Sequence, residues 1–328
     1  VTTAGPVKIA VRGGSLTVND GNGNDGVGVS AGGVGDVLLQ STGALTTHAS
    51  VSSGMGHITL LSQAAVDLNA AVSTTDAGTI YVSGQSIDVD GAISSAMGNI
   101  LLSASNVVHT TASITSGAAQ VGIFATTGNV LLDAAVTAGD DVLIEAGGSI
   151  GLFQVTGVNV SLTAGMNISD NSPMEDFNIH ATTLGLVAGG IIGASDVNNN
   201  SPDTNVNAID IEVGTLAVHS GSGVYLQQLI PGGNLLVDHV PGAKAVRVEQ
   251  VNFNSTRDDV TRGTQRPLED VVTTAGPVKI AVRGGSLTVN DGNGNDGVGV
   301  SAGGAGDVLL MASADVVATA SVTSDTGN

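Results

Sequence analysis

A short motif of Gly, a polar residue, Val or Ile, any residue, then Leu or Val recurs at nearly constant spacing through the first half of the chain. Gly35-Asp36-Val37-Leu38-Leu39, Gly56-His57-Ile58-Thr59-Leu60, Gly78-Thr79-Ile80-Tyr81-Val82 and Gly98-Asn99-Ile100-Leu101-Leu102 begin 21, 22 and 20 residues apart. Gly128-Asn129-Val130-Leu131-Leu132 continues the form after a longer interval, and Gly233-Asn234-Leu235-Leu236-Val237 returns to it. Between these anchors lie other short runs of period two, at 44–51, 86–93 and 107–114, joined by Gly, Ser, Asn and Asp. Such alternation marks half-buried strands, and no capped run with helical spacing accompanies it. A repeat of 20 to 22 residues made only of strands and turns cannot bury its apolar side alone, so successive repeats stack as coils. The expected fold is all-β, a right-handed parallel β-helix (β-solenoid) with about 20–22 residues per coil. Its hand follows from the preference for right-handed crossovers.

A longer repeat overlies the short one. Residues 1–39 return as 272–310 with one difference, Val34 against Ala305, an interval of 271 residues. Beyond this block, agreement falls to 5 of 18 positions, so only the opening of the long unit is copied. The array is expected to continue beyond both ends of the chain. Three regions follow: a first β-solenoid module at 1–251 with irregular loops near 167–207, a polar excursion or module junction at 252–270, and the start of the next module at 271–328. The loop expectation rests on Asn171-Ser172-Pro173 and Asn198-Asn199-Asn200-Ser201-Pro202.

Composition narrows the partners. Gly contributes 48 residues, aromatics are 2% and Cys is absent, so the core is built from small aliphatic side chains without disulfides or thiolate chemistry. From Gly13 to Gly242 there are 16 Asp and 3 Glu but no Lys or Arg, a net charge of −19. That body repels nucleic acid phosphates and anionic membranes, and no segment is apolar for long enough to insert as a helix.

The Gly-Asp/Asn-Ile/Val-x-Leu pattern over most of residues 30–165, and more loosely over 205–250, resembles that of large bacterial secreted β-solenoid exoproteins of the filamentous haemagglutinin and autotransporter-passenger type. The resemblance implies export to the cell surface and roles in adhesion or biofilm.

Several groups are candidates for chemistry or contact. Asn19 to Val27, repeated at Asn290 to Val298, approximates the nine-residue calcium turn G-G-x-G-x-D-x-U-x, with Asp20 in place of the first Gly. Asp20, Asn22, Asn24 and Asp25, with Asp291, Asn293, Asn295 and Asp296, are thus either calcium ligands or plain Asn/Gly turns; no other cofactor is expected. If the Val/Ile and final Leu/Val of each anchor face inward, then Leu38, Thr59, Tyr81, Leu101 and Leu131 form an outward, mostly apolar stripe. It serves lateral bundling of copies, lies under a covering loop, or consists of tolerated surface residues. Arg257, Arg262 and Arg266 are either a solvated loop or a basic patch docking on the acidic body of a neighbour. The six His show no i, i+4 pairing, which argues against zinc. A β-helix lyase or hydrolase would need paired carboxylates, and Asp88 with Asp90 or Asp140 with Asp141 are the available pairs. Neither has Arg, Lys or Trp beside it in sequence.

The function expected is a non-catalytic, self-associating structural module of a giant extracellular bacterial filament or surface fibre. Its partners would be neighbouring modules and lateral copies. An adhesin stalk recognising cells or glycans is the alternative, and a polysaccharide lyase or hydrolase a more distant one.

Overall fold

Alternation of period two turns each short Val/Ile/Leu run into a strand whose every second side chain points to one interior. The computed structural model describes residues 1–172, 176–195 and 207–328. They form two compact units, Val1–Glu145 with Lys244–Thr264, and Ala146–Ala243 with Gln265–Asn328.

In the first unit each coil carries three short strands, and equivalent strands of successive coils pair in parallel as three sheets. The first sheet holds Val7–Val11, Val37–Ser41, Ile58–Ser62, Ile80–Gly84, Ile100–Ala104 and Val121–Ala125. The second runs from Leu16–Val18 through Leu45–Thr47, Val66–Leu68, Ile87–Val89 and Val108–Thr110 to Val130–Leu132. The third holds Val27–Ala31, Ser50–Ser53, Val72–Thr74, Ile93–Ser95, Ile114–Ser116 and Val136–Ala138. The architecture is a parallel β-helix. Its register stacks like on like: Val37, Ile58, Ile80, Ile100 and Val121 are successive partners, and all are fully buried.

The glycine of the motif occupies the corner between the third and first sheets. A Cβ on Gly56 would stand 2.2 Å from the carbonyl oxygen of Gly35, one on Gly78 2.0 Å from that of Gly56, and one on Gly98 2.0 Å from that of Gly78. At these three places one coil's backbone rests on the next with no space for a Cβ, whereas Ala119 takes the equivalent place in the following coil. Buried hydroxyls close the same corner: Ser53 donates to the Gly35 carbonyl at 2.7 Å, Thr74 and Ser95 to that of Gly78 at 2.9 and 3.0 Å, and Ser116 to that of Gly98 at 3.0 Å. These carbonyls are thereby satisfied without water.

Two expectations about the repeat need correction. Coils of 20–22 residues hold from Val37 to Val121, whereas Val7 pairs with Val37, 30 residues on, because the Asn/Asp/Gly segment lengthens that coil. The motifs at Gly128 and Gly233 also sit on a different side. Val130–Leu132 stacks on Val108–Thr110, and Leu235–Val237 pairs with Leu287–Val289, the counterpart of Leu16–Val18, so both belong to the second side of the coil. All sides share the in-out-in demand, and the motif alone does not distinguish them.

In the second unit, longer strands Val155–Ala164, Ile179–Ala188 and Ile209–Ser220 pair in parallel. Ile209–Ser220 then pairs in turn with Val224–Gln228, Leu235–Val237 and Val271–Thr273, one strand on each side of a coil. The second copy of the repeated block follows as Val278–Val282, Leu287–Val289 and Val298–Ala302. The last coil is Val308–Ala312, Val316–Ala318 and Ser321–Ser324. Because Ile168–Asp170 and Ile179–Ala188 are strands, 167–207 is not loop throughout. Pro173 and Asn198 to Pro202 lie outside the described residues.

Residues 252–262 of the polar stretch expected at 252–270 lie in an antiparallel hairpin that begins earlier, Val246–Val251 against Arg257–Arg262. The hairpin belongs to the first unit, whereas 265–328 belongs to the second. The boundary expected at 251/252 coincides with the end of the hairpin's first strand, and that at 270/271 immediately precedes the strand Val271–Thr273.

Candidate functional site

The outward residues of the first sheet come together as the spacing implies. Leu38 pairs with Thr59, Thr59 with Tyr81 and Tyr81 with Leu101. They are not exposed: Leu38 is 1%, Thr59 0%, Tyr81 7% and Leu101 0% accessible. The arm Val246–Val251 lies across them, with Val246, Val248 and Val251 themselves buried. Its backbone is tied down by hydrogen bonds from the Val251 N–H to Thr59 Oγ1 at 2.9 Å, from the Glu249 N–H to Thr79 Oγ1 at 3.0 Å, and from Asn99 Nδ2 to the Arg247 carbonyl at 2.7 Å. Gly122 continues the row beyond Leu101, and a Cβ there would meet the Val246 side chain at 3.0 Å. Leu38, Thr59, Tyr81 and Leu101 are thus covered by the chain itself, which removes them as a surface for lateral bundling. Leu131 is not in the row at all: it stands beside His109 on the second sheet and is 36% exposed.

Charge fastens the hairpin to the acidic coils of the same unit. Arg257 donates to both oxygens of Asp36, from Nε at 3.0 Å and from a terminal nitrogen at 2.9 Å. Asp36 also accepts the His57 N–H at 2.9 Å. Burial and the nearby Arg257 hold the His57 imidazole below its usual pKa. Lys8 donates to the Asn252 carbonyl at 2.7 Å and to Ser255 Oγ at 3.0 Å. Asp141, fully buried, accepts the Lys244 N–H at 2.9 Å, and the Lys244 ammonium lies 3.4 Å from Asp140. Arg257 therefore docks on its own coil rather than on a neighbour, while Arg262 and Arg266 are exposed. On the hairpin, Arg247 pairs with Asp259, which lowers the carboxyl's pKa and raises that of the guanidinium. The alternation Val246-Arg247-Val248-Glu249, followed by a polar turn and Arg257-Asp258-Asp259-Val260, was the available signal for this hairpin.

The Asn/Asp/Gly turn folds in the same way in both copies. Asp20 accepts the Gly26 N–H at 2.9 Å and Asp25 the Val27 N–H at 3.0 Å; Asp291 and Asp296 do the same for Gly297 and Val298 at 3.0 and 2.8 Å. Asn24 and Asn295 adopt φ of 47° and 50°, a left-handed conformation that Asn tolerates. The candidate calcium ligands thus include four Asp that already cap their own backbone. Among the described residues, no group of three or more His, Asp or Glu is arranged to hold a metal ion.

One carboxylate near the second copy is unusual. Asp270 is 5% exposed, its Oδ1 has no hydrogen-bond partner, and its φ is 63°. Burial, then the charges of Asp296, Glu269 and Asp291, push its pKa up to about 6. Elsewhere His109 bridges Asp88 at 3.0 Å and Asp133 at 2.9 Å, and these bonds, Asp133 first, raise its pKa. The Asp88–Asp90 pair considered for catalysis is engaged the same way, Asp88 by His109 and Asp90 by the Thr111 hydroxyl. No protein-family model, curated protein or solved structure matches the chain.

Two outcomes follow from this geometry. Val248→Asp places an unpaired charge under the hairpin and releases it, so trypsin cleavage at Lys244 accelerates about tenfold or more; an unchanged rate would mean that the arm does not depend on this packing. Asp270→Asn, which keeps shape and tolerates the positive φ, tests the buried carboxyl. In the wild type the unfolded carboxyl ionises near 3.8 and the folded one near 6, so stability is lost as pH rises between these values and the cost persists above them. The variant should be the more stable at pH 7 and should lack that decline in thermal unfolding curves; identical pH profiles would refute the assignment.

Proposed function

We propose that the chain is a structural repeat module of a giant extracellular bacterial filament or surface fibre, stacked on further modules and not catalytic. The observation that carries this reading is the near-identical block at 1–39 and 272–310, which enters the coil stack in the same register both times. Val7 pairs with Val37 and Val278 with Val308; Leu16 pairs with Leu45 and Leu287 with Val316. A fold that grows by adding coils has no intrinsic end, and a block recurring after 271 residues marks modules along it. The high negative charge favours solubility of a long repetitive chain. The resemblance to filamentous haemagglutinin-type exoproteins supports placement at the cell surface.

Chains of one, two and four modules imaged by negative-stain microscopy test the proposal. Particle length should grow in proportion to module number; globular particles, or a length independent of module number, would contradict it.

A further inference from the structure

Two carboxylate oxygens are buried without a hydrogen-bond partner at the Asn/Asp/Gly turn of the second copy. One is Oδ1 of Asp270, a residue only 5% exposed, and the other is Oδ1 of Asp291. The Gly292 N–H donates to the Asp270 carboxylate, which sets that carboxylate against the residue next to Asp291. Asp291 accepts the Gly297 N–H through Oδ2 at 3.0 Å and leaves Oδ1 over. Glu269 braces the same turn by accepting the Gly294 N–H at 2.8 Å, and its side chain leaves no space for a Cβ on Gly292 or Gly294. The charges acting on Asp270 are those of Asp296, Glu269 and Asp291, all negative. Among the described residues, the Lys and Arg ion pairs lie elsewhere, on Asp36, Asp140, Asp141, Glu249 and Asp259. A carboxylate buried among like charges with an oxygen unsatisfied calls for a positive partner. An open cavity of about 380 Å³, lined in part by His219, His239, Glu269 and Asn293, gives the turn access to solvent.

We propose that this turn is a divalent-cation site of the calcium class, with Asp270 Oδ1 and Asp291 Oδ1 as its two carboxylate ligands. Glu269 and Asp296 add negative charge around it. The carboxylate ligands are a pair rather than a trio, and the rest of the shell comes from amide, backbone and water oxygens. Calcium accepts such a mixed set, since it takes about six to eight oxygens in flexible geometry. Asp270 lies outside the sequence that approximates the calcium nonapeptide, so the ligand set is not the one the turn alone implies. It also spans two coils. Asp270 immediately precedes Val271–Thr273, and the turn holding Asp291 leads into Val298–Ala302, the strand paired with it. A bound ion ties these neighbouring coils together at a place where their charges otherwise repel.

Thermal unfolding of the full chain at pH 7, in EDTA and in millimolar calcium chloride, tests the site. Calcium should raise the wild-type Tm by about 5 °C. Asp270→Asn and Asp291→Asn should each lose more than half of that rise. Both retain an amide oxygen for the backbone bond, and their melting curves in EDTA show that they fold, so a lost response is not a lost fold. Asp67→Asn removes the same charge from the first unit and should keep the rise. Four results overturn the proposal: no rise in the wild type, half or more of it kept by either turn variant, its loss from Asp67→Asn, or an equal rise from sodium chloride at matched ionic strength. Because the readout is taken on single chains, it does not depend on whether fibres form.

Discussion

Where a glycine of one coil lies on the carbonyl of the coil before it, the separation between coils is set, and the rest of the fold inherits that spacing. In the first unit Gly56, Gly78 and Gly98 leave no space for a Cβ above Gly35, Gly56 and Gly78. The second unit repeats the device, with Gly165 on Gly147, Gly189 on Gly165 and Gly221 on Gly189, each at 2.0 to 2.2 Å from a carbonyl oxygen for a notional Cβ. Alongside these close backbones the parallel ladders of the three sheets run in register and the Val and Ile columns are buried. The corner hydroxyls of Ser53, Thr74, Ser95 and Ser116 belong to the same arrangement, since close approach puts glycine carbonyls within their reach.

A stack built this way has an apolar side, and the chain covers it. The side of the first sheet offers Leu38, Thr59, Tyr81 and Leu101, and the hairpin at 246–262 covers it, held by backbone bonds to Thr59 and Thr79 and by the Arg257–Asp36 pair. Its outer arm, Arg257–Arg262, carries four charged residues in six, which discourages edge pairing with other chains. The stripe itself is buried under the hairpin.

Much of the fold was legible because its demands are local and repeated. Period-two alternation and the glycine spacing identified parallel coils and placed Leu38, Thr59, Tyr81 and Leu101 in one row. What was not legible depends on contacts between residues far apart in sequence. Leu131 carries the same local motif as Leu101 yet sits on another sheet, because Val121–Ala125 takes the first-sheet position in its coil. The hairpin returns to strands about 190 residues earlier, as in the Val251–Thr59 bond, and no local pattern announces such a return. The Asn/Asp/Gly turn was visible, whereas the pressure on Asp270 comes first from its burial and then from the charges of Asp296, Glu269 and Asp291, of which only Glu269 is its neighbour in sequence.

The account stands or falls on the glycine corner, and the chain contains its own control. Gly78→Ala must push two coils apart, while Gly13→Ala meets nothing within 4 Å. Equilibrium unfolding in urea should show Gly78→Ala destabilised by about 1–3 kcal/mol and Gly13→Ala close to wild type. Equal stability of the two variants would mean that the coils are not spaced by this contact.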